Sequence, residues 1–102
     1  MWPKISINYS PNFNVIKRPK KNIKFIIIHY TGMRNELSAL NRLCNKEAKV
    51  SAHYFIKKNG SVFNLVPPLY EAWHAGESCW KGLKYLNRNS VGIEIQNSGH
   101  DN

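Results

Sequence analysis

The stretch Ile26-Ile27-Ile28-His29-Tyr30-Thr31-Gly32 decides how this chain folds. A continuous β-branched run reads as a fully buried strand. The run ends in an imidazole followed by small and hydroxylic residues. A buried strand holds its terminal side chain rigidly at the edge of a sheet, where ligands and metals meet. Downstream, Ser90-Val91-Gly92-Ile93-Glu94-Ile95 reads as another strand, with one carboxylate between two isoleucines. An acid in that position is costly to bury unless a cation or a hydrogen-bond donor meets it. Its bland alternative is a glutamate at the strand edge facing water, which alternation equally allows.

Between these two runs the pattern changes period. The spacing over 35–44 predicts a helix, because Leu37, Leu40, Leu43 and Cys44 fall on one stripe. Residues 49–56 then read as a strand. Lys58-Asn59-Gly60-Ser61 carries the Asn-Gly pair of a tight hairpin, and 62–66 reads as the returning strand. Pro67-Pro68 closes the hairpin. Residues 69–89 form a loop-rich excursion rich in Trp and Tyr, and 91–95 completes the set. The polar segment 1–22, punctuated by Pro3, Pro11 and Pro19, reads as an extended arm over the surface. The order β-α-β-β-loop-β argues an α/β fold with a mixed sheet, since the hairpin must be antiparallel. One clear helix for four strands leaves one sheet face bare, as in the first part of a larger domain.

At 102 residues the chain is one domain with a single modest core. Its 42% hydrophobic and 12% aromatic content is that of a folded protein. No segment approaches the ~20 apolar residues of a membrane span. Met1-Trp2-Pro3-Lys4 leads into no apolar run of a secretory signal, so a cytoplasmic protein is expected. Cys44 and Cys79 lack the spacing of a zinc knuckle and read as reduced thiols. The net charge of +9 includes a basic cluster of Lys17, Arg18, Lys20 and Lys21 near the N-terminus, with further groups at Lys57 and Lys58 and at Lys81 and Lys84. Such a balance attracts polyanions or a carboxylate-bearing polymer. A Lys-, Asn- and Ile-rich composition of this kind also arises from AT-rich coding alone.

Candidate chemistry rests on His29, His53, His74 and His100, with Glu94. His29 ends the buried run. His53 is placed mid-strand, and His74 lies in a Trp-His-Ala-Gly loop where small residues admit a ligand to the backbone. A catalytic zinc needs about three protein ligands and an open position. No HExxH helix is present, so the spacing permits such a site without identifying one. Glu94 suits a general base acting on water. Trp73, Trp80, Tyr70 and Tyr85 around His74 form either a sugar- or peptide-binding wall or a loop packed on the sheet.

Five segments in order carry a resemblance. They are Ser10-Pro11-Asn12-Phe13-Asn14, Ile27-Ile28-His29-Tyr30-Thr31-Gly32, Val50-Ser51-Ala52-His53-Tyr54, Ala72-Trp73-His74-Ala75-Gly76 and Ser90-Val91-Gly92-Ile93-Glu94-Ile95. Together they resemble the zinc-dependent N-acetylmuramoyl-L-alanine amidases of the AmpD/AmiD type, relatives of the peptidoglycan recognition proteins. The resemblance implies a mixed β-sheet flanked by helices, a Zn²⁺ cofactor, His29 as a zinc ligand and Glu94 as the catalytic acid-base. It places His53, Trp73, His74, Ala75 and Gly76 at the substrate groove. Ala52 stands where the related recognition proteins carry a tyrosine, and Glu94 is present, which points to the AmpD/AmiD branch. The family's other two zinc ligands, a histidine and an aspartate, come from a later region that His100 and Asp101 do not match. The domain over 1–102 is therefore expected to lack its C-terminal part. The implied partner is peptidoglycan or a muropeptide, with no nucleic acid and no membrane span; a second chain completing the site is left open.

Overall fold

A computed structural model describes residues 4–74, 79–80, 83–84 and 86–97. Among the described residues nine strands accompany one α-helix: β1 (Ile5–Ile7), β2 (Phe13–Asn14), β3 (Phe25–Tyr30), α1 (Glu36–Cys44), β4 (Tyr54–Ile56), β5 (Val62–Asn64), β6 (Glu71–Ala72), β7 (Cys79–Trp80), β8 (Leu83–Lys84) and β9 (Ser90–Ile95). Short 3₁₀ turns lie at Lys20–Asn22, Lys46–Ala48 and Leu86–Asn89. The main sheet has five strands in the order β1-β5-β4-β9-β3. Within this sheet the β4–β5 hairpin alone is antiparallel, and β1–β5, β4–β9 and β9–β3 are parallel; β2–β6 and β7–β8 form separate antiparallel pairs. The expected mixed α/β sheet is therefore observed. Asn59-Gly60 turns the hairpin as expected, with Gly60 at φ 90° and Lys57 N–H donating to Ser61 O at 2.8 Å.

Three expectations need correction. First, β3 is not a fully buried strand. It lies at the edge of the sheet, so Phe25, Ile27 and His29 are half-buried while Ile26, Ile28 and Tyr30 are exposed. Register aligns Tyr30 with Ile95, Ile56, Val62 and Ile5 across the sheet, and Ile28 with Ile93 and Tyr54. Ile5 and Ile7 are exposed too. On this face the edge strands expose their apolar side chains, while Tyr54, Ile56, Val62, Ile93 and Ile95 on the inner strands are half-buried.

Second, the segment read as an extended arm over the surface is, from residue 4 on, tied into the fold. Ile5–Ile7 pairs with β5, and Phe13–Asn14 pairs with β6. Ser10, Asn12 and Arg18 are buried. Ser10 Oγ donates to Leu43 O at 2.6 Å, and Asn12 Nδ2 donates to Asn45 O and Val50 O, both at 2.8 Å. These bonds satisfy carbonyls at and beyond the helix C-terminus that the helix itself leaves open.

Third, the strand expected over 49–56 begins only at Tyr54. Lys49 adopts a left-handed conformation at φ 52°, which interrupts extended backbone. Residues 51–53 turn away to bond to other segments: Ser51 N–H donates to Trp73 O and His53 N–H to Gly92 O, both at 2.9 Å.

The helix forms where expected. Asn35 caps it, its side chain accepting from Ser38 N–H at 2.8 Å, and Glu36 and Arg42 complement the dipole at the two ends. The buried stripe is rotated from the expected one: Ala39 and Leu43 are buried, Leu40 and Cys44 pack beside them, and Leu37 is exposed. They meet Phe55, Leu65, Val66 and Ala72 in the core. Phe55 is fully buried, a burial that contributes roughly 2–3 kcal/mol. In this way α1 packs on the sheet face that also carries the candidate chemistry.

Candidate active site

Strand register brings the two principal residues together. His29 on β3 is opposite Glu94 on β9, and Glu94 is opposite Phe55 on β4. Directly opposed residues on neighbouring strands share a face, so His29 and Glu94 stand side by side on the face packed against α1. Burial lowers the His29 pKa. Burial raises that of Glu94, against a weaker opposing pull from the positive charge of Arg42. A neutral imidazole thus stands beside a carboxyl whose affinity for protons is raised, a pairing suited to proton exchange.

His74 lies over Gly92. Its ring occupies the space a side chain at Gly92 would fill, with the nearest ring atom 2.3 Å from where a Cβ would stand. His74 Nδ1 is 3.1 Å from His29 Nε2, and His74 Nε2 is 2.9 Å from Ser90 Oγ. Its backbone N–H is held by Asn87 Oδ1 at 3.1 Å. Burial is the main reason its pKa falls to about 3, with smaller contributions from the charges of His29, His53 and Arg18.

His53, which the resemblance places at the substrate groove, is buried in the structure. It has no exposed surface, and its ring packs edge-on to His74 with centroids 6.2 Å apart. Its Nδ1 accepts from Gly92 N–H at 3.0 Å, so Nε2 carries the hydrogen and donates to Tyr70 O at 2.7 Å. His53 N–H also donates to Gly92 O at 2.9 Å. Side chain and backbone of His53 therefore hold both polar groups of Gly92. Trp73 is half-buried and clamped by Ser51: its N–H donates to Ser51 Oγ at 2.9 Å, and its carbonyl accepts from Ser51 N–H at 2.9 Å. Ser51 Oγ in turn donates to Asn12 O. Ala75, Gly76 and His100 lie outside the described residues.

The positioning residues Ser10, Asn12, Ser51 and Ser90 lie within the segments that carry the resemblance, though no role was read for them, and Arg18 lies outside those segments. Arg18 read as part of a basic cluster facing solvent. Instead its guanidinium is buried and donates to the carbonyls of Pro68, Asn87 and Ser90.

His29 fits a metal ligand, because its Nε2 meets His74 Nδ1 at 3.1 Å while among the described residues no hydrogen bond engages its Nδ1. Among the described residues no three His, Cys, Asp or Glu side chains are grouped to hold a metal ion. The three neighbouring histidines are no such group, since His53 and His74 use both ring nitrogens within the protein. No described helix is long and apolar enough to cross a membrane.

His53 yields a stability test. Its pKa falls from 6.5 to about 4, chiefly through burial, helped by the Arg18 charge and opposed by the hydrogen bond to Tyr70. The unfolded chain takes up a proton at 6.5 that the folded chain refuses until about 4. The His53 contribution is therefore complete above pH 6.5 and is lost as pH falls toward 4, at up to about 1.4 kcal/mol per pH unit. His74 acts in the same direction and Glu94 in the opposite one, since a raised carboxyl favours the folded state at low pH. Urea midpoints measured from pH 7.5 down to 4.5 are expected to fall. A midpoint that holds constant contradicts the buried, neutral histidines.

The fold places His29 and Glu94 side by side on neighbouring parallel strands of an α/β sheet. A sequence profile of the N-acetylmuramoyl-L-alanine amidase family, Amidase_2, matches residues 19–102, and the chain belongs to that family. It is 42% identical over 84 residues to the N-acetylmuramoyl-L-alanine amidase AmiD of Escherichia coli K12, covering 76% of this chain and 29% of that protein. The solved complex of E. coli AmiD with anhydro-N-acetylmuramic acid-L-Ala-D-γ-Glu-L-Lys superposes with a TM-score of 0.67 at 39% identity, covering 84% of this chain and 34% of that one. AMPDH3 from Pseudomonas aeruginosa, in complex with an anhydromuramic pentapeptide, gives 0.70 at 32% identity, covering 87% and 40%. The chain thus spans well under half the length of these relatives. These matches bear out the resemblance read from the five segments and lend no support to a second chain.

Proposed function

We propose that this chain carries part of the active site of a zinc-dependent N-acetylmuramoyl-L-alanine amidase, acting on the amide between the lactyl group of muramic acid and L-alanine. The observation that carries this reading is the placement of His29 and Glu94 on adjacent strands and one face. A zinc ion, when bound, supplies Lewis acidity to the scissile carbonyl and to water. His29 would be one of its ligands. Glu94 takes a proton from the attacking water and delivers it to the departing alanine amine, a task its raised proton affinity favours. Trp73, His74, Ala75 and Gly76 are the substrate-binding stretch in this reading, and the buried His53 ring packs edge-on against that of His74. The AmiD and AMPDH3 complexes make anhydromuramyl peptides the substrates to try first.

The test is release of free stem peptide from anhydro-N-acetylmuramic acid-L-Ala-D-γ-Glu-L-Lys in the presence of Zn²⁺, followed by mass spectrometry. Glu94→Gln is expected to lower turnover by roughly 10²–10⁴-fold. Turnover that survives this change removes Glu94 from the proton path. A second reading, binding of muropeptide without hydrolysis, is favoured by the single free imidazole donor among the described residues. Saturable binding of the same tripeptide with no product decides for it.

A further inference from the structure

Ser90, His74 and His29 form a file of hydrogen bonds whose direction is set at one end. Ser90 Oγ lies 2.7 Å from Leu86 O and 2.9 Å from His74 Nε2. A carbonyl oxygen can only accept, so the hydroxyl hydrogen goes to Leu86. The Ser90 oxygen then faces His74 with a lone pair, and His74 Nε2 must bring the hydrogen. In the neutral ring His74 Nδ1 is therefore an acceptor. It lies 3.1 Å from His29 Nε2, which must donate to it. His29 is left with an unprotonated Nδ1, and among the described residues no hydrogen bond engages that atom.

The geometry points to Ser90 as a positioning residue that, through His74, fixes the tautomer of His29 and leaves Nδ1 as its electron-pair donor. Ser90 is fully buried at the first position of β9 and His74 is almost fully buried, so water does not compete for the chain of bonds. The anchor is rigid for a local reason. Leu86 opens the 3₁₀ turn that runs directly into β9, and Ser90 bonds back to it four residues away. A metal ligand whose second nitrogen is engaged in this way presents one nitrogen and one ring orientation. The purpose of the device rests on the amidase reading above; the proton positions rest on the hydrogen bonds alone.

The experiment is ¹⁵N NMR of the histidine rings in the metal-free chain at pH 7.5. Wild type is expected to show His29 with Nε2 protonated and Nδ1 at the shift of a bare ring nitrogen. Ser90→Ala removes the acceptor for His74 Nε2–H and is expected to lower the ratio of the two His29 tautomers by about fivefold or more. Ser90→Thr, which keeps the hydroxyl, is expected to restore it. A His29 protonated at Nδ1 in wild type overturns the inference whether or not the alanine variant folds. So does an unchanged His29 pattern in a folded Ser90→Ala chain. Adding Zn²⁺ to the same wild-type sample judges the amidase reading separately. A His29 Nδ1 resonance unmoved by zinc counts against His29 as a ligand, while the tautomer result stands or falls by itself.

Discussion

Gly92→Ala is expected to lower folding stability by about 3 kcal/mol and to break the hydrogen bond between His29 and His74. Backbone conformation is not the cause, since Gly92 does not occupy the left-handed region and alanine is ordinarily tolerated in a strand. The cause is steric. An added Cβ would stand 2.3 Å from His74 Cγ, 2.4 Å from Cδ2 and 2.8 Å from Nδ1, far inside the ~3.5–4.0 Å of a carbon contact. Neither partner can withdraw cheaply. The His74 backbone is tied to Asn87 and its ring to Ser90. The Gly92 backbone is tied at both N–H and C=O to His53. Urea unfolding of Gly92→Ala measures the loss. The same substitution placed in a His74→Ala background, where the space is vacant, is expected to cost less than about 1 kcal/mol. Equal losses in both backgrounds would show that the close approach of ring to strand is not what requires glycine.

This example marks the boundary of what the residue pattern revealed. The His29–Glu94 pair was legible because each residue ends or interrupts a β-branched run, and such runs pair into a sheet wherever turns allow. The hairpin was legible from Asn59-Gly60, and the helix from its 3.6-residue period. The role of Gly92 was not legible, because it is created by a ring from a loop 18 positions earlier (92 − 74) crossing the strand. The strand Ile5–Ile7 escaped notice for a different reason. It is three residues long, flanked by Pro3 and Pro11, and its place is set by pairing with β5 far along the chain. Depth in the sheet was misjudged at 26–28, where three isoleucines in a row fit an interior strand as well as an edge strand with one bare face. Only the count of helices against strands hinted at the second. His53 shows the same limit for the site: its neighbours in sequence do not reveal that its ring is buried against His74.

Arg18 is the sharpest case, because charge patterning placed it among solvated lysines while the fold buries it. Its Nη2 donates to Ser90 O at 2.7 Å and Pro68 O at 2.9 Å, its Nη1 to Asn87 O at 2.8 Å, and its Nε to Pro68 O at 3.2 Å. Nη2 also lies 3.3 Å from His53 Nε2, but that nitrogen already carries a hydrogen, so the two meet as donors and form no bond. Burial lowers the pKa of Arg18, with the charge of Glu71 partly offsetting it; a guanidinium nevertheless stays protonated at neutral pH. Arg18→Met keeps the length and apolar stem of the side chain while leaving three carbonyls without their donors. The expected loss is about 3–5 kcal/mol, in line with buried polar networks that lose one member. Arg18→Lys retains the charge without the planar fork and is expected to recover only part of that loss. Two of the three carbonyls belong to Asn87 and Ser90, the residues that hold the backbone and the ring of His74. The loss should therefore reach the site, and the His29 tautomer should shift in the methionine variant even at temperatures where it remains folded. If Arg18→Met unfolds within about 1 kcal/mol of wild type, or leaves His29 unchanged, the clamp between the N-terminal segment and the turn before β9 does not hold the site in place.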